Sequence, residues 1–243
     1  MILLLTGCIN PDGMTLTSLN NPEERKEQYK NAIRYYIAKT SFPIVFVENS
    51  GTDISVLFKD AILSGRMEYL TFFGNQNKNR GKGYGECEII QYALNHSNII
   101  KTTNDKRIVK ITGRLIIKNL NIIIWTHQLL ATKSTTICAI NSKLSFPDSR
   151  FIIASESFYR DFIKRKNTIN DSKGVYFEHV LLQTIIEEKK YSFSPFYIMP
   201  IIDGISGSTG QKYENLPLHF TGIIKYFKYA LSQRHKFKKL YRH

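Results

Sequence analysis

The chain has 243 residues, 42% hydrophobic and 22% charged, which is the balance of a folded globular chain with a sizeable core and excludes disordered, collagen-like and coiled-coil classes. Its 34 Lys and Arg against 20 Asp and Glu leave a formal net charge of +14. That excess predicts an anionic partner and leaves nucleotide phosphate, nucleic acid and anionic lipid open.

Ile2 to Thr6 is a mostly apolar run ending in Gly7, the pattern of a buried parallel strand. Met1 to Cys8 has the outline of a lipoprotein signal, but it lacks a basic start and its apolar run is shorter than the roughly 7–15 residues of a signal core. Asn21-Pro22-Glu23-Glu24 supplies a helix cap, a first-turn proline and two acids, and predicts a helix with Tyr29, Ile33, Tyr36 and Ile37 on one face. A second strand over 43–47 stops at Glu48-Asn49-Ser50-Gly51. Residues 54–63 read as a helix, 69–73 as a third strand, 86–95 as a helix and 107–111 as a fourth strand reaching Thr112-Gly113-Arg114.

Beyond this point 116–125 and 136–140 are strand candidates, 155–166 and 174–188 read as helices, and 191–214 as an irregular Pro/Gly/Ser segment. The alternation predicts an α/β domain over 1–224 with a mostly parallel central sheet flanked by helices. In such sheets the ligand sits beyond the C-terminal ends of the strands. No uncharged apolar run approaches the roughly 20 residues of a spanning helix, and Cys8, Cys87 and Cys138 are scattered without a C-x-x-C pair. A cytoplasmic protein that can lie on a membrane without crossing it is the expectation.

The densest chemical signal is Arg80-Gly81-Lys82-Gly83-Tyr84-Gly85-Glu86, directly before a predicted helix. Alternating glycines allow close backbone approach, the cations match phosphate, and a helix N-terminus adds amides and a positive dipole end. The loop is either a diphosphate site or a Lys/Gly-rich surface loop. Lys110, Thr112, Gly113 and Arg114 place cations and a hydroxyl at a strand end, where a guanidinium can fork onto phosphate. Glu48, Asn49 and Ser50 offer a carboxylate and an amide for a nucleoside, or form a plain Asx-type turn.

Asp148, in Phe146-Pro147-Asp148-Ser149-Arg150, and Glu178, in Tyr176-Phe177-Glu178-His179, are the candidate bases; Glu178 equally suits a helix N-terminal charge, and His179 a structural histidine. The Gly/Ser loop from Asp203 to Gly210 is either a lid or a connector. Residues 225–243 interleave half of the net charge with aromatics and carry no acid. They suit an anionic bilayer surface, or a solvated helix packed on the domain. The chain has no G-x-S-x-G, no H-E-x-x-H, no paired metal-type Cys/His and no Asp-x-Asp, so no metal ligand is named.

Leu5-Thr6-Gly7, the Arg34-Tyr35-Tyr36 helix, Val47-Glu48-Asn49-Ser50-Gly51, the 80–86 loop and Lys110-Ile111-Thr112-Gly113-Arg114 together resemble bacterial GT-A-like glycosyltransferases of capsule and lipopolysaccharide assembly. The likeness spans roughly the first 120 residues, with weaker echoes at Tyr176-Phe177-Glu178 and Ser206-Gly207-Ser208-Thr209-Gly210. It implies a nucleotide sugar at the strand ends, with the nucleoside near Thr6, Gly7, Glu48 and Asn49. The diphosphate would lie against the 80–86 loop and Arg114, and a glycan or lipid-linked acceptor would be activated by Glu178 or Asp148. The departure is the missing Asp-x-Asp, through which such enzymes usually hold Mn²⁺ or Mg²⁺. Either a single carboxylate serves, or Arg80, Lys82, Lys110 and Arg114 neutralise the leaving phosphate. Other classes that fit the composition are a nucleic-acid-binding protein and a sugar nucleotidyltransferase.

Overall fold

The computed structural model describes residues 1–13, 18–132, 134–207, 209–213 and 220–241. Ser208, Arg242 and His243, which belong to the Gly/Ser loop and the basic tail, lie outside the described residues. In chain order the first half holds β1 (Ile2–Gly7), α1 (Pro22–Lys39), β2 (Ile44–Glu48), α2 (Lys59–Leu63), β3 (Met67–Thr71), α3 (Lys82–His96), α4 (Asn98–Thr102) and β4 (Arg107–Thr112). The second half holds β5 (Ile116–Ile117), α5 (Leu120–Leu130), β6 (Thr135–Ile140), β7 (Pro147–Ser155), α6 (Glu156–Lys164), α7 (Phe177–Glu187), β8 (Ser192–Ser194), β9 (Ile202–Asp203) and α8 (Phe220–Tyr241).

Seven strands form one sheet in the order β3-β2-β1-β4-β7-β6-β8, while β5 and β9 pair separately. The first four run parallel, β7 runs antiparallel to both β4 and β6, and β8 is parallel to β6. This is the α/β architecture, mostly parallel and helix-flanked, that the sequence pattern predicts. Strand periodicity sorts the apolar residues onto two faces. Ile2, Leu4, Val45 and Ile108 pack toward α3, α6 and α7, whereas Leu3, Leu5, Phe46, Val109 and Ile111 pack toward α1 and α5. All six residues of β1 are buried, as a central strand covered on both faces requires. Each fully buried Leu, Ile or Phe contributes about 1.5–3 kcal/mol.

The third strand lies at 67–71 rather than 69–73, the helix expected over 54–63 is α-helical only over 59–63, the segment read as irregular over 191–214 holds β8 and β9, and three further differences bear on the site. The apolar run expected as a strand over 116–125 is only two residues of β5, followed by α5. Leu120, Ile123, Ile124 and His127 are buried at helical spacing, and Ile122, Trp125 and Leu129 face outward. A short apolar run has no decisive period, so packing decided it. Helix α3 begins at Lys82 rather than 86, which puts Gly83, Tyr84 and Gly85 inside it. Residues 147–150, to which the sequence pattern assigned no element, open the nine-residue strand β7.

Because β7 is antiparallel and Ile111 pairs with Phe151, its first residues project to the same rim as the last residues of β4. Pairing of Ile140 with Pro147 brings the end of β6 there as well. The basic segment forms most of α8, which buries Ala230, Gln233 and Phe237 against the domain; Phe237 meets Phe193 of β8 at 4.3 Å between ring centroids. Among the described residues no helix is long and apolar enough to cross a membrane.

Candidate functional site

A cavity of about 590 Å³ opens on this rim. Thr6 and Gly7 of β1, Asn49 after β2 and Thr112 of β4 contribute from the strand ends, and Lys82, Gly85 and Glu86 from α3. Asp148, Ser149 and Arg150 of β7, Glu178 of α7, and Ser206, Gly207 and Tyr213 line it as well. Gly113 lets β4 leave the sheet here. Its N–H donates to the Thr6 carbonyl at 2.8 Å, and a Cβ would stand 2.8 Å from that oxygen. Of the site residues expected from sequence, the cavity wall therefore gathers Thr6, Gly7, Asn49, Lys82, Gly85, Glu86, Thr112, Arg114, Asp148 and Glu178.

The others serve as scaffold around it. Glu48 is fully buried and turned to its own loops: its carboxylate accepts from the backbone N–H of Ile9 (2.8 Å), Ser50 and Thr52 (both 2.9 Å) and from the Thr71 hydroxyl (3.2 Å). The Ser50 hydroxyl donates to the same carboxylate. A carboxylate so saturated fixes the loops after β1 and β2 rather than meeting a ligand. Lys110 is fully buried, pairs with Glu86, and donates to the Ser149 carbonyl at 2.6 Å. Its charge is spent behind the wall.

Arg80, Gly81 and Gly83 of the 80–86 segment are likewise occupied. Arg80 donates to the carbonyls of Ile169 (2.8 Å) and Asn167 and lies over the Tyr84 ring. At the start of α3, the Gly83 N–H donates to Asp171 at 3.0 Å. The Asp171 carboxyl also fills the space a Cβ on Gly81 would need, 2.5 Å away, and Gly81 has φ +92, which suits glycine. The protein's own carboxylate thus sits at the helix end where an external anion was expected. Burial raises the Asp171 carboxyl above its ordinary value, with the Gly83 hydrogen bond pulling the other way.

Two arginines behave differently. Arg114 is 9% exposed and, among the described residues, donates to the carbonyl of Ile205. Arg25 of α1 is 6% exposed and is held by the carbonyls of Cys8 (2.8 Å) and Leu19 (3.0 Å) and, at 3.4 Å, the Tyr29 hydroxyl. Both line the cavity, and among the described residues no carboxylate oxygen lies within 4 Å of either guanidinium. Burial lowers the pKa of Arg114 from the ordinary arginine value, and the like charge of Arg25 works in the same direction.

The carboxylates divide too. Asp148 is clamped bidentately by Arg150, with Nε at 2.8 and 3.0 Å from its two oxygens. Arg150 lies over the Tyr213 ring; burial opposes its charge, but Asp148 and Tyr213 raise its pKa on balance. Glu178, at the N-terminus of α7, is half-buried and accepts from the Ser149 hydroxyl at 2.5 Å. Burial raises its carboxyl above the ordinary glutamate value, while Ser149 and its own backbone N–H pull it down. That is the direction that makes a carboxylate a stronger base. His179 is structural, since its Nδ1 accepts from the Tyr176 N–H at 3.2 Å and caps α7.

Sequence reading missed Arg25, Tyr29, Ser149, Arg150 and Tyr213. The one available signal was Arg25 and Tyr29 at i and i+4 on the buried face of α1, where a charged residue among apolar ones needs a reason. Among the described residues no three His, Cys, Asp or Glu side chains gather as metal ligands. Among the described residues three carboxylates line the wall: Glu86 is taken up by Lys110 and Thr6 and Asp148 by Arg150, which leaves Glu178, with the Ser149 hydroxyl, standing alone. This donor set does not fit a divalent ion.

The sequence matches no family model and no curated protein. Among solved structures the chain is similar to a cytidylyltransferase from Leptospira borgpetersenii serovar Hardjo-bovis, at 13% identity and TM-score 0.46, covering 80% of this chain and 74% of that one. It is also similar to the mannosyltransferase Ktr4p of S. cerevisiae (9%, TM-score 0.42, 79% and 68% covered) and to mouse xyloside xylosyltransferase 1 (11%, 0.41, 80% and 84%). At these values the likeness carries no reaction over to this chain.

Proposed function

We propose that the chain is a GT-A-like glycosyltransferase that moves a sugar from a nucleotide-sugar donor to a hydroxyl of a glycan or lipid-linked acceptor in bacterial surface polysaccharide synthesis. The observation that carries this reading is one cavity, at the C-terminal rim of a mostly parallel sheet, that combines the buried guanidiniums of Arg25 and Arg114, with no carboxylate within 4 Å among the described residues, with the raised carboxylate of Glu178. The first feature suits a diphosphate, the second an acceptor hydroxyl.

In this reading the nucleoside lies toward Thr6, Gly7 and Asn49. Asn49 is buried and lines the cavity, and its side-chain oxygen has no hydrogen-bond partner among the described residues. Glu178 takes the proton of the acceptor hydroxyl as its oxygen bonds to the sugar's anomeric carbon. The bond from that carbon to the diphosphate breaks, and its electron pair leaves with the nucleoside diphosphate. Arg25, Arg114 and Lys82 hold the departing charge. The Asp148–Arg150 pair shapes the acceptor side as a neutral unit. Enzymes of this resemblance usually hold a divalent ion through Asp-x-Asp, a motif this sequence lacks, and no step is routed through such an ion.

The acceptor's membrane anchor is met by the outward side of α8. There Lys225, Lys228, Lys236, Lys238 and Lys239 are exposed beside Ile223, Ile224, Leu231 and Leu240. Lysines beside apolar side chains suit an anionic bilayer surface, each contributing about 1 kcal/mol. The direct test of the reading is a thermal-shift screen with UDP, GDP, CMP and TDP sugars. A donor at 100 times its dissociation constant stabilises the fold by about 2.7 kcal/mol, and the responding donor is then assayed for transfer. A response only to a nucleoside triphosphate together with a sugar phosphate would replace transfer by nucleotidyl chemistry.

A further inference from the structure

We infer that Arg25 and Arg114 form a metal-free clamp for a diphosphate, doing together what a carboxylate-held divalent cation does in metal-dependent sugar transferases. The inference rests on the nucleotide-sugar reading and deepens it by naming what binds the leaving group.

Burying one guanidinium without a counter-ion is costly, and burying two beside one cavity is costlier, because each charge disfavours the other. The half-buried Arg66 and Arg80 make do with carbonyls away from the cavity, but other strongly placed cations are matched by carboxylates. Lys110 has Glu86, Arg150 has Asp148, and Arg107 has Asp105. Among the described residues Arg25 and Arg114 are the buried cations that line the cavity, and carbonyls hold both in place with no carboxylate within 4 Å. Carbonyl anchors fix direction without cancelling charge, so the remaining N–H groups keep their full attraction for phosphate oxygens.

The two come from parts of the fold with independent reasons to sit there. Arg25 lies one turn below Tyr29 on α1, and both are tied to the Cys8 backbone just beyond β1. Arg114 follows the glycine that packs β4 against Thr6, and the loop after β9 closes against it: a Cβ on Gly207 would stand 2.4 Å from its Nη2. That loop is fixed in turn by the Ser18 N–H donating to the Gly207 carbonyl at 2.9 Å. The clamp is therefore preorganised before any ligand arrives, the property that makes electrostatic stabilisation of a leaving group effective. When the sugar–phosphate bond breaks, the terminal phosphate gains one negative charge, and two guanidiniums absorb it without coordination chemistry.

The test is isothermal titration of the full chain with inorganic pyrophosphate and with UDP, GDP and CDP, in EDTA and again with Mn²⁺. Wild type, Arg25→Ala, Arg114→Ala, the two Lys variants and Arg80→Ala are compared. The clamp predicts pyrophosphate binding in EDTA within about twofold of that in Mn²⁺. Each Ala variant then weakens it by about 10- to 100-fold, each Lys variant keeps part of the affinity, and Arg80→Ala stays within twofold. Unligated melting temperatures show which variants fold, and the Lys variants keep the test open where an Ala variant does not. Binding that requires Mn²⁺, or that is unchanged in both Ala variants, overturns the clamp and leaves the nucleotide-sugar reading standing. Pyrophosphate binding that follows the pattern while no nucleotide binds supports the clamp and overturns the nucleotide-sugar reading.

Discussion

The loop that opens α3 and the pair Arg25 and Arg114 make an instructive contrast. The first is dense in sequence, with two cations and three glycines in seven residues; the second is two arginines 89 positions apart, only one of which stands in a motif. In the fold their roles invert. Arg80 is tied to the carbonyls of Asn167 and Ile169 away from the cavity and the α3 amides to Asp171, whereas Arg25 and Arg114, also held by carbonyls, lie on the cavity wall with no carboxylate within 4 Å among the described residues. A binding site is made by unspent charge, and local density of charge does not measure that. The same holds for the acids, since Asp148 is matched by Arg150 and Glu178 is not matched by any cation within 4 Å among the described residues.

The contrast can be broken most severely at Glu178. Glu178→Gln is expected to lower turnover by about 10²- to 10⁴-fold with donor affinity unchanged, and Asp148→Asn to cost far less; equal losses from the two would erase the distinction. Because burial raises the Glu178 carboxyl, the acid limb of the activity profile lies above the ordinary glutamate range. Ser149→Ala removes a hydrogen bond that lowers it, so the limb moves further up in pH, as rates measured between pH 4 and 8 will show.

Next in size is stability. Asp171→Ala should cost about 1–2 kcal/mol in denaturant unfolding by uncapping α3, while Asp171→Asn, which keeps an acceptor without the buried charge, costs less. Donor affinity that rises in Asp171→Ala would mean that the vacated helix end takes phosphate after all. The smallest effect sharpens the boundary between the two regions. Lys82 starts α3 yet lines the cavity, so Lys82→Ala is expected to weaken donor binding by a few-fold, between the large effect of Arg114→Ala and the near absence of one for Arg80→Ala. Titration of all three with one donor orders them.

What the sequence determined is what local chemistry controls. The β-branched and apolar runs at 2–6, 43–47 and 107–111, each closed by a polar turn, read as buried strands with their polar ends on one rim, and Asn21 with Pro22 started α1 where its side chain could accept from Glu23 and Glu24. Thr6, Asn49, Thr112 and Arg114 were legible as rim residues for that reason. The tertiary structure decided which groups are consumed. Gly83 meets an aspartate 88 residues away, Arg80 meets carbonyls 87 and 89 residues on, and Lys110 meets a carbonyl 39 residues on. Only the antiparallel turn of β7 carried Ser149 and Arg150 to the rim beside Glu178. Periodicity and capping act within a few residues, whereas pairing and burial of charge are settled by whichever segments the sheet order brings together.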